Sequence, residues 1–283
     1  MLQILIQGLL LSGLYALIAV GFTLIFSVGR VLNLAYGAYI LIGGYTFFWI
    51  SQSLGAPVIV GVLMAGVVGG IAGLLKYQFI AKPLGANHVA VEISTLILAV
   101  VVQSAIILLF GDSSKILLPI VPGVIRVVEV SVTYNLLAAT VASWAILLSL
   151  YALVQKTHFG RAMRAVSMDP KGAAISGVDT RFVNMMTWGL SGVLGAVAGV
   201  FFASYTQLSP SMWVAPLIIS VAVVIVGGIG SVIGTLIVAH IVGFMEVIVI
   251  TWIAPELRGV FTMLLIIGVL VLRPRGLFGR EEL

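Results

Sequence analysis

The stretch QKTHFGRAMRAVSMDPKGAAISGVDTRFV, residues 155–183, is the only long water-facing run in the chain, and it decides the fold class. It holds five Lys and Arg residues against two Asp residues, and long apolar runs without Lys or Arg lie on both sides. Charges between such runs are typical of a loop outside the lipid bilayer. We call residues 155–183 the charged segment and interpret its neighbours as membrane spans.

The overall composition agrees with this interpretation. The 283 residues are 61% hydrophobic and 8% charged, with a mean hydropathy of +1.27, whereas a soluble domain has about 25% charged residues. The net charge of +5 comes from basic residues near span ends rather than from a basic face with aromatics, which argues against nucleic-acid binding. The chain has no cysteine, which excludes disulfides and thiolate metal sites. The sequence predicts one all-α polytopic membrane domain, residues 1–283.

Within the charged segment the sequence predicts a short helix. Asp169 suits its N-cap, Pro170 its first position and Gly177 a left-handed stop. A helix of about seven residues is marginal alone in water, so it needs a partner. Arg161 and Arg164 precede it on one predicted helical face. We interpret the segment as a docking element for a protein; the alternative is a basic loop that fixes topology and contacts lipid headgroups.

The apolar runs predict about eight to nine membrane helices, including discontinuous ones. Residues 111–133 alternate apolar and polar side chains, which predicts an external loop with a short strand or hairpin. Gly21 is predicted to break or loosen the first span, and Lys76 to end the third. The predicted spans cover residues 2–28, 31–50, 57–75, 91–110, 134–154, 184–205, 213–226, 233–252 and 260–272. The sixth predicted span carries a stripe of small residues, which predicts a close helix contact: Gly189, Gly192, Gly195 and Gly199.

Two places depart from simple spans. Asn33, Tyr36 and Gly37 lie within one helical turn, and a polar side chain beside glycine at membrane depth is typical of a helix that unwinds to line a cavity. In the alternative, Asn33 lies at the headgroup boundary and Gly37 packs against a neighbouring helix. The run at 213–226 is only about 14 residues long, too short to cross a bilayer, and it leads into the glycine turn VGGIGSVIG at 226–234.

The basic residues predict the orientation. If the charged segment is cytoplasmic and the spans alternate, three of the 14 Lys and Arg residues lie outside, namely Lys115, Arg126 and Arg258. This bias predicts an external N-terminus and a cytoplasmic C-terminus. The other eleven lie inside: Arg30, Lys76, Lys82, Lys156, Arg161, Arg164, Lys171, Arg181, Arg273, Arg275 and Arg280.

Three ionisable residues within the predicted spans are candidates for function. Glu92 lies in the first turn of the fourth span and could line a substrate path, but the helix dipole also favours a carboxylate there, and we prefer that second interpretation. His240 and Glu246 are six residues apart, about 600° around a helix, so they lie on different faces. Glu246 is a candidate for a transport path, with a paired or protonated carboxylate inside the bundle as the alternative. No metal-ligand spacing and no GxxxxGK[ST] phosphate loop occurs, so no catalytic residue, metal site or cofactor of its own is predicted.

Four stretches in order resemble the permease subunits of branched-chain amino acid type ABC importers, a family that also covers urea, amide and sugar permeases. They are GLYALIAVGFTLIFSVGRVLNLAYGAYILIGGY (13–45), FGRAMRAVSMDPKGAAISGVD (159–179), VGGIGSVIG (226–234) and LRPRGLFG (272–279). The resemblance implies a coupling helix in the charged segment that docks into an ATPase. The matching positions are Gly160, Arg161, Arg164, Asp169, Ala173, Gly177 and Asp179. The sequence departs from the family at Gly172, where a polar or acidic residue is common, and at Tyr36, where His is frequent.

The resemblance also implies a transport subunit in the inner membrane of a bacterium or archaeon. Its partners would be a homologous permease chain or a second copy, two cytoplasmic ATPases that bind ATP and Mg²⁺, and an external substrate-binding protein. In alternating access driven by the ATPases, Asn33, Tyr36, Gly37 and Glu246 would line the path. Branched-chain or other apolar amino acids are the expected substrates, while urea, short amides and aromatic acids stay open.

Two other transport classes are alternatives. A stand-alone ion-coupled secondary transporter would use Glu92 and Glu246, but intramembrane carboxylates are few and a coupling helix has no purpose without an ATPase. A passive channel would be indifferent to ATP.

Overall fold

The computed structural model describes residues 1–85, 87–127, 130–228, 230–254, 257, 259–273 and 276–278. Arg258, Arg275 and Arg280 of the orientation count lie outside the described residues, as do Ile229, Pro274 and Gly279 of two family motifs. The helices are α1 (Leu2–Gly29), α2 (Tyr36–Phe47), α3 (Val58–Lys76), α4 (Lys82–Leu84), α5 (His88–Phe110), α6 (Tyr134–Lys156), α7 (His158–Met168), α8 (Pro170–Ile175), α9 (Thr180–Tyr205), α10 (Val214–Gly227), α11 (Val232–Trp252) and α12 (Val260–Leu272), with π-helical turns at Phe48–Ser53 after α2 and at Tyr77–Ala81 between α3 and α4.

Among the described residues, six helical segments are long and apolar enough to cross a membrane. Helix α2, lengthened by its π-helical turn, and the shorter apolar helices α10 and α12 bring the total in the described residues to nine spans or half-spans. This number agrees with the predicted eight to nine. Helix α10 has 14 residues and is about 21 Å long, less than the roughly 30 Å of a bilayer core. The predicted all-α fold with discontinuous helices is confirmed.

Helix α1 lies at the centre of the bundle. The most apolar stretch of α1 is 89% buried inside the bundle, whereas that of α5, at the periphery, is 17% buried. A helix surrounded by other helices is apolar on all faces, and α1 fits this pattern. It packs against α6, α9, α10 and α11. Its C-terminal end lies beside the charged segment, at what we call the loop end; the opposite side is the hairpin end.

A small β-hairpin covers the hairpin end. Strands β1 (Val124–Val127) and β2 (Val130–Thr133) pair antiparallel, which confirms the predicted hairpin. Alternate residues of a strand share one face, so Val130 and Val132 point the same way. Both belong to one buried apolar cluster with Leu10 of α1, and this cluster anchors the hairpin on the bundle.

The glycine stripe of α9 brings three helices together. Gly192 lies against the backbone carbonyl of Gly69 in α3, and Gly199 lies against that of Ile40 in α2. A side chain at either glycine would collide with a main-chain oxygen. Gly195, between them, leaves room for the side chains of two tyrosines of α2. The predicted close contact is confirmed, with two partner helices, and we call it the α9 seam.

Two predictions, one about a break within a helix and one about a helix end, are wrong. Gly21 does not interrupt α1; its missing side chain leaves room for the hydroxyl of Tyr36. Lys76 does not end the third span, because the helix continues through a π-helical turn to Leu84. The side chain of Lys76 is buried and hydrogen-bonded, so its charge does not mark a membrane boundary.

Candidate functional site

The chain between α1 and α2 is irregular and lies inside the bundle. Arg30 adopts a left-handed φ of 52° and ends α1. The chain then re-enters the interior, where Asn33 is 1% exposed and Ala35 is fully buried before α2 begins. We call residues 30–35 the broken segment. It agrees with the unwinding that the sequence predicts around Asn33.

Side chains of α5 support the backbone of the broken segment. Irregular backbone at membrane depth needs partners for its amides. Oε1 of Glu92 accepts a hydrogen bond from the amide of Leu32 at 3.4 Å. Oγ1 of Thr95 accepts one from the amide of Leu34 at 3.1 Å. Glu92 thus has a backbone contact that neither sequence-based interpretation included.

Lys76 of α3 reaches the broken segment from the side. Its Nζ donates to Oδ1 of Asn33 at 2.7 Å and lies 3.8 Å from the ring centroid of Tyr39 and 5.5 Å from that of Trp188. An amide oxygen and aromatic faces both favour a buried ammonium group. The sequence analysis missed this residue because a lysine near a span end is typical of a topology signal. The mostly apolar stretch Tyr77–Ala81 was the available sign that the span continues.

Tyr36 and Gly37 lie where two discontinuous helices begin. The ring of Tyr36 packs edge-on against Phe22 with centroids 5.7 Å apart. Gly37 lies against Trp213, the N-cap of α10, whose indole N–H donates to Oε1 of Gln103 at 2.8 Å. The first turns of α2 and α10 therefore meet in the interior. A role for Tyr36 and Gly37 in a path stays a prediction.

Glu246 lies in a different contact, between α1 and α11. Its Oε2 accepts a hydrogen bond from the hydroxyl of Tyr15 at 2.6 Å, and the residue is 4% exposed. His240 turns to α6, where its ring lies 5.5 Å from that of Trp144. The predicted separation of His240 and Glu246 is confirmed. Glu246 faces α1, whereas Asn33 faces α3, and a place for Glu246 in the path stays a prediction.

The described residues hold no group of three His, Cys, Asp or Glu side chains suited to a metal ion.

The charged segment forms two short helices with side-chain N-caps. Oγ1 of Thr157 accepts from the amide of Gly160 at 3.0 Å at the start of α7. Oδ1 of Asp169 accepts from the amide of Lys171 at 2.9 Å at the start of α8, which has six residues. Gly177, with a φ of +85°, follows the end of α8. The predicted cap, helix and left-handed stop are confirmed.

Several residues matched to the coupling helix shape the charged segment itself. Oδ1 of Asp179 caps α9 by accepting from the amide of Phe182 at 2.9 Å. The guanidinium of Arg164 donates to a backbone carbonyl in the last turn of α6. Ala173 is buried, whereas Arg161 is exposed. Docking by these residues stays a prediction.

The sequence analysis missed two exposed apolar side chains on the charged segment. Ile175 is 89% exposed and Met168 is 70% exposed. Residues two apart on a helix differ by about 200°, so a helix buried at Ala173 exposes Ile175. Arg30, at the start of the broken segment, donates to the backbone carbonyl of Met168 at 3.3 Å. The charged segment is thereby tied to the broken segment.

Comparison with known proteins identifies the family. The sequence profile described as branched-chain amino acid transport system / permease component matches residues 4–270. The probable branched-chain amino acid transport permease protein LivH of Methanocaldococcus jannaschii is 30% identical, over 98% of this chain and 92% of the relative. The high-affinity branched-chain amino acid transport system permease protein LivH of Escherichia coli K12 is 27% identical, over 99% of this chain and 96% of the relative.

A solved structure, PsaBC from Streptococcus pneumoniae in complex with Fab, contains a chain of similar fold. The TM-score is 0.51 at 16% identity, and the match covers 96% of this chain and 92% of that one. This likeness concerns the fold alone. From the profile match and the near full-length relatives, the chain belongs to the permease family of branched-chain amino acid transport systems.

Proposed function

We propose that this chain is the permease subunit of an ATP-driven ABC importer for branched-chain or other apolar amino acids. The match to that permease family over residues 4–270 is the observation that carries the proposal. Two discontinuous helices that begin side by side in the interior support it, since broken helices commonly build transport paths. The residues proposed to line the path are Asn33, Tyr36, Gly37 and Glu246.

The proposed assembly has four further members. They are a homologous permease chain or a second copy of this one, two cytoplasmic ATPases, and an external substrate-binding protein. The ATPases bind ATP and Mg²⁺, so this chain performs no covalent chemistry. The proposed location is the inner membrane, with the N-terminus outside and the charged segment in the cytoplasm. Exposed Lys156, Arg161 and Lys171 at the loop end support that orientation.

The ATPase is proposed to dock on α7 and α8. Exposed large apolar side chains on a polar segment are typical of a protein contact, and Ile175 and Met168 are of this kind. Gly160, Arg164, Asp169, Ala173, Gly177 and Asp179 hold the shape of that surface, with Arg161 beside it.

Movement of the docked helices has a direct route to the interior. Arg30 contacts the carbonyl of Met168 and is also the first residue of the broken segment. A shift of α7 and α8 on ATPase closure therefore moves one end of the broken segment, which leads into α2. In this mechanism the beginning of α2 is the element that opens and closes the path.

The test is ATP-dependent uptake of labelled leucine into proteoliposomes that hold the chain, its co-purified partners and the binding protein. Ile175→Glu is expected to lower both ATPase co-purification and uptake by at least about tenfold, as loss of a central interface residue does. Ile116→Glu is the matched control, because Ile116 is 82% exposed in the loop before the hairpin. It is expected to keep the ATPase bound.

Normal ATPase retention by Ile175→Glu would contradict the docking surface. Leucine uptake by the wild type that persists without ATP would contradict the importer and favour a secondary transporter or a channel.

A further inference from the structure

Lys76 is a buried basic residue inside a membrane span. Its contacts within the described part of the chain are an amide oxygen and two aromatic rings, with no carboxylate among them. The carboxylate of Glu92, which also contacts the broken segment, accepts from the backbone amide of Leu32. Ionisable side chains in membrane spans are costly and usually serve a function. Lys76 thus has no carboxylate partner in the described part of the structure.

Two further hydrogen-bond donors close to Lys76 are also unused. Nδ2 of Asn33 and the hydroxyl of Tyr39 are buried and lie near each other, and neither has a partner within hydrogen-bond distance. An ammonium, an amide N–H and a phenol O–H are all donors, so the group that satisfies them is an acceptor. A carboxylate satisfies the charge as well as the donors. We call Lys76, Asn33 and Tyr39 the Lys76 group.

A cavity of about 280 Å³ adjoins two members of the Lys76 group, Lys76 and Tyr39. It lies between α2, α3 and α5, and Lys76 and Tyr39 form part of its wall. Most of the remaining wall is aliphatic, including Ile42, Leu98 and Val102. Small-molecule sites commonly combine apolar walls with a few polar groups that fix orientation.

We propose that the Lys76 group recognises the carboxylate of a small aliphatic acid or amino acid, whose hydrocarbon part occupies this cavity. The inference rests on the proposed function and adds a substrate contact to it. Ala35, the N-cap of α2, also lines the cavity, so the positive end of the α2 dipole favours the same anion.

The test uses the purified permease with its ATPases in detergent, without the external binding protein. The probes are leucine, 4-methylpentanoate, which lacks the amine, and leucinamide, which lacks the carboxylate. Leucine and 4-methylpentanoate are expected to raise the thermal midpoint of the wild type, and leucinamide is not. Lys76→Met is expected to weaken the response to both acids by at least about tenfold, as loss of a charge-assisted hydrogen bond does.

A second variant guards against a folding defect in Lys76→Met. Asn33→Asp places a carboxylate beside the ammonium of Lys76, so it is expected to fold and to lose the response to acids. Lys82→Met is the control, because Lys82 is exposed six residues further along the same helical segment.

A wild-type response to leucinamide equal to that of leucine, no response to either acid, or an unchanged response in Asn33→Asp would overturn the inference. Uptake of leucine driven by ATP is measured in parallel. If the wild type takes up leucine but neither acid raises its thermal midpoint, the Lys76 site is wrong and the proposed function stands. If the wild type shows no ATP-driven uptake, the result counts against the proposed function. The change of the thermal midpoint with the two acids still tests the Lys76 site.

Discussion

Two long helix contacts organise the bundle, and they are built differently. In the α9 seam, Gly192 and Gly199 bring backbone against backbone, with Gly69 and Ile40 as partners. Membrane helices gain little from hydrophobic burial against each other, so close packing provides much of the attraction. The α9 seam relies mainly on this solution.

The contact of α1 with α11 adds hydrogen bonds to close packing. Gly243 of α11 lies against Ser12 of α1. Along the same contact, which we call the α1–α11 seam, the hydroxyl of Tyr15 donates to Glu246 at 2.6 Å. One fold thus contains a seam that depends on the absence of side chains and a seam that depends on their chemistry. Substitutions at the two seams should therefore differ in their effects on the stability of the fold.

The largest expected effect is at the α9 seam. Gly199→Leu drives a side chain into the carbonyl of Ile40, which moves only if α2 moves. We expect a destabilisation at or above the upper end of the roughly 1–3 kcal/mol that overpacking costs. The measurement is the SDS concentration at the unfolding midpoint in mixed micelles.

Gly268→Leu in α12 is the matched control for Gly199→Leu. Nothing lies within 4 Å of a Cβ at Gly268, so this variant should unfold at the wild-type midpoint or above it. Equal destabilisation by both variants would show that close packing at Gly199 is not the cause of the effect.

The α9 seam was predictable because its signal is local. Gly189, Gly192, Gly195 and Gly199 are spaced three and four apart, and a helix of 3.6 residues per turn places them on one stripe. The caps of the charged segment were predictable for the same reason, since Asp169 and Gly177 act within a few residues. That the stripe meets both α2 and α3 was not predictable, because two partner helices are a property of the packed bundle.

The polar contacts were harder to predict, because their partners are distant in sequence. Lys76 meets Asn33 across 43 positions, and Tyr15 meets Glu246 across 231. No repeating spacing in the sequence points to these partners. From the sequence alone, Lys76 therefore resembles a topology signal, and Glu246 resembles an isolated carboxylate. The break at Asn33 was predictable from its glycine neighbour, but the buried ammonium beside it depends on the π-helical turn that carries α3 past Lys76.

An intermediate effect is expected at the α1–α11 seam. Glu246→Leu removes the acceptor of the Tyr15 hydroxyl, and loss of one partner of a buried hydrogen bond costs about 1–3 kcal/mol. The measurement is a double-mutant cycle with Tyr15→Phe by SDS unfolding. We expect a coupling of at least about 0.5 kcal/mol between the two positions. Additive costs would mean that the hydroxyl and the carboxylate stabilise the seam independently, and the contrast with the α9 seam would weaken.

The smallest effect is expected at a third contact of the α1–α11 seam, between Thr23 and Thr235. Their Oγ1 atoms are 3.0 Å apart, but each also lies within hydrogen-bond distance of a carbonyl in its own helix, at 2.8 Å for Ala19 and 2.9 Å for Ser231. Two hydroxyls carry two protons, so only two of these three hydrogen bonds form at once. A double-mutant cycle of Thr23→Val and Thr235→Val should therefore give a coupling below the average of about 0.6 kcal/mol for hydrogen bonds between membrane helices. A larger coupling would show that the threonines bond across the seam at the expense of their own helices, and that hydrogen bonding holds α1 to α11 along its whole length.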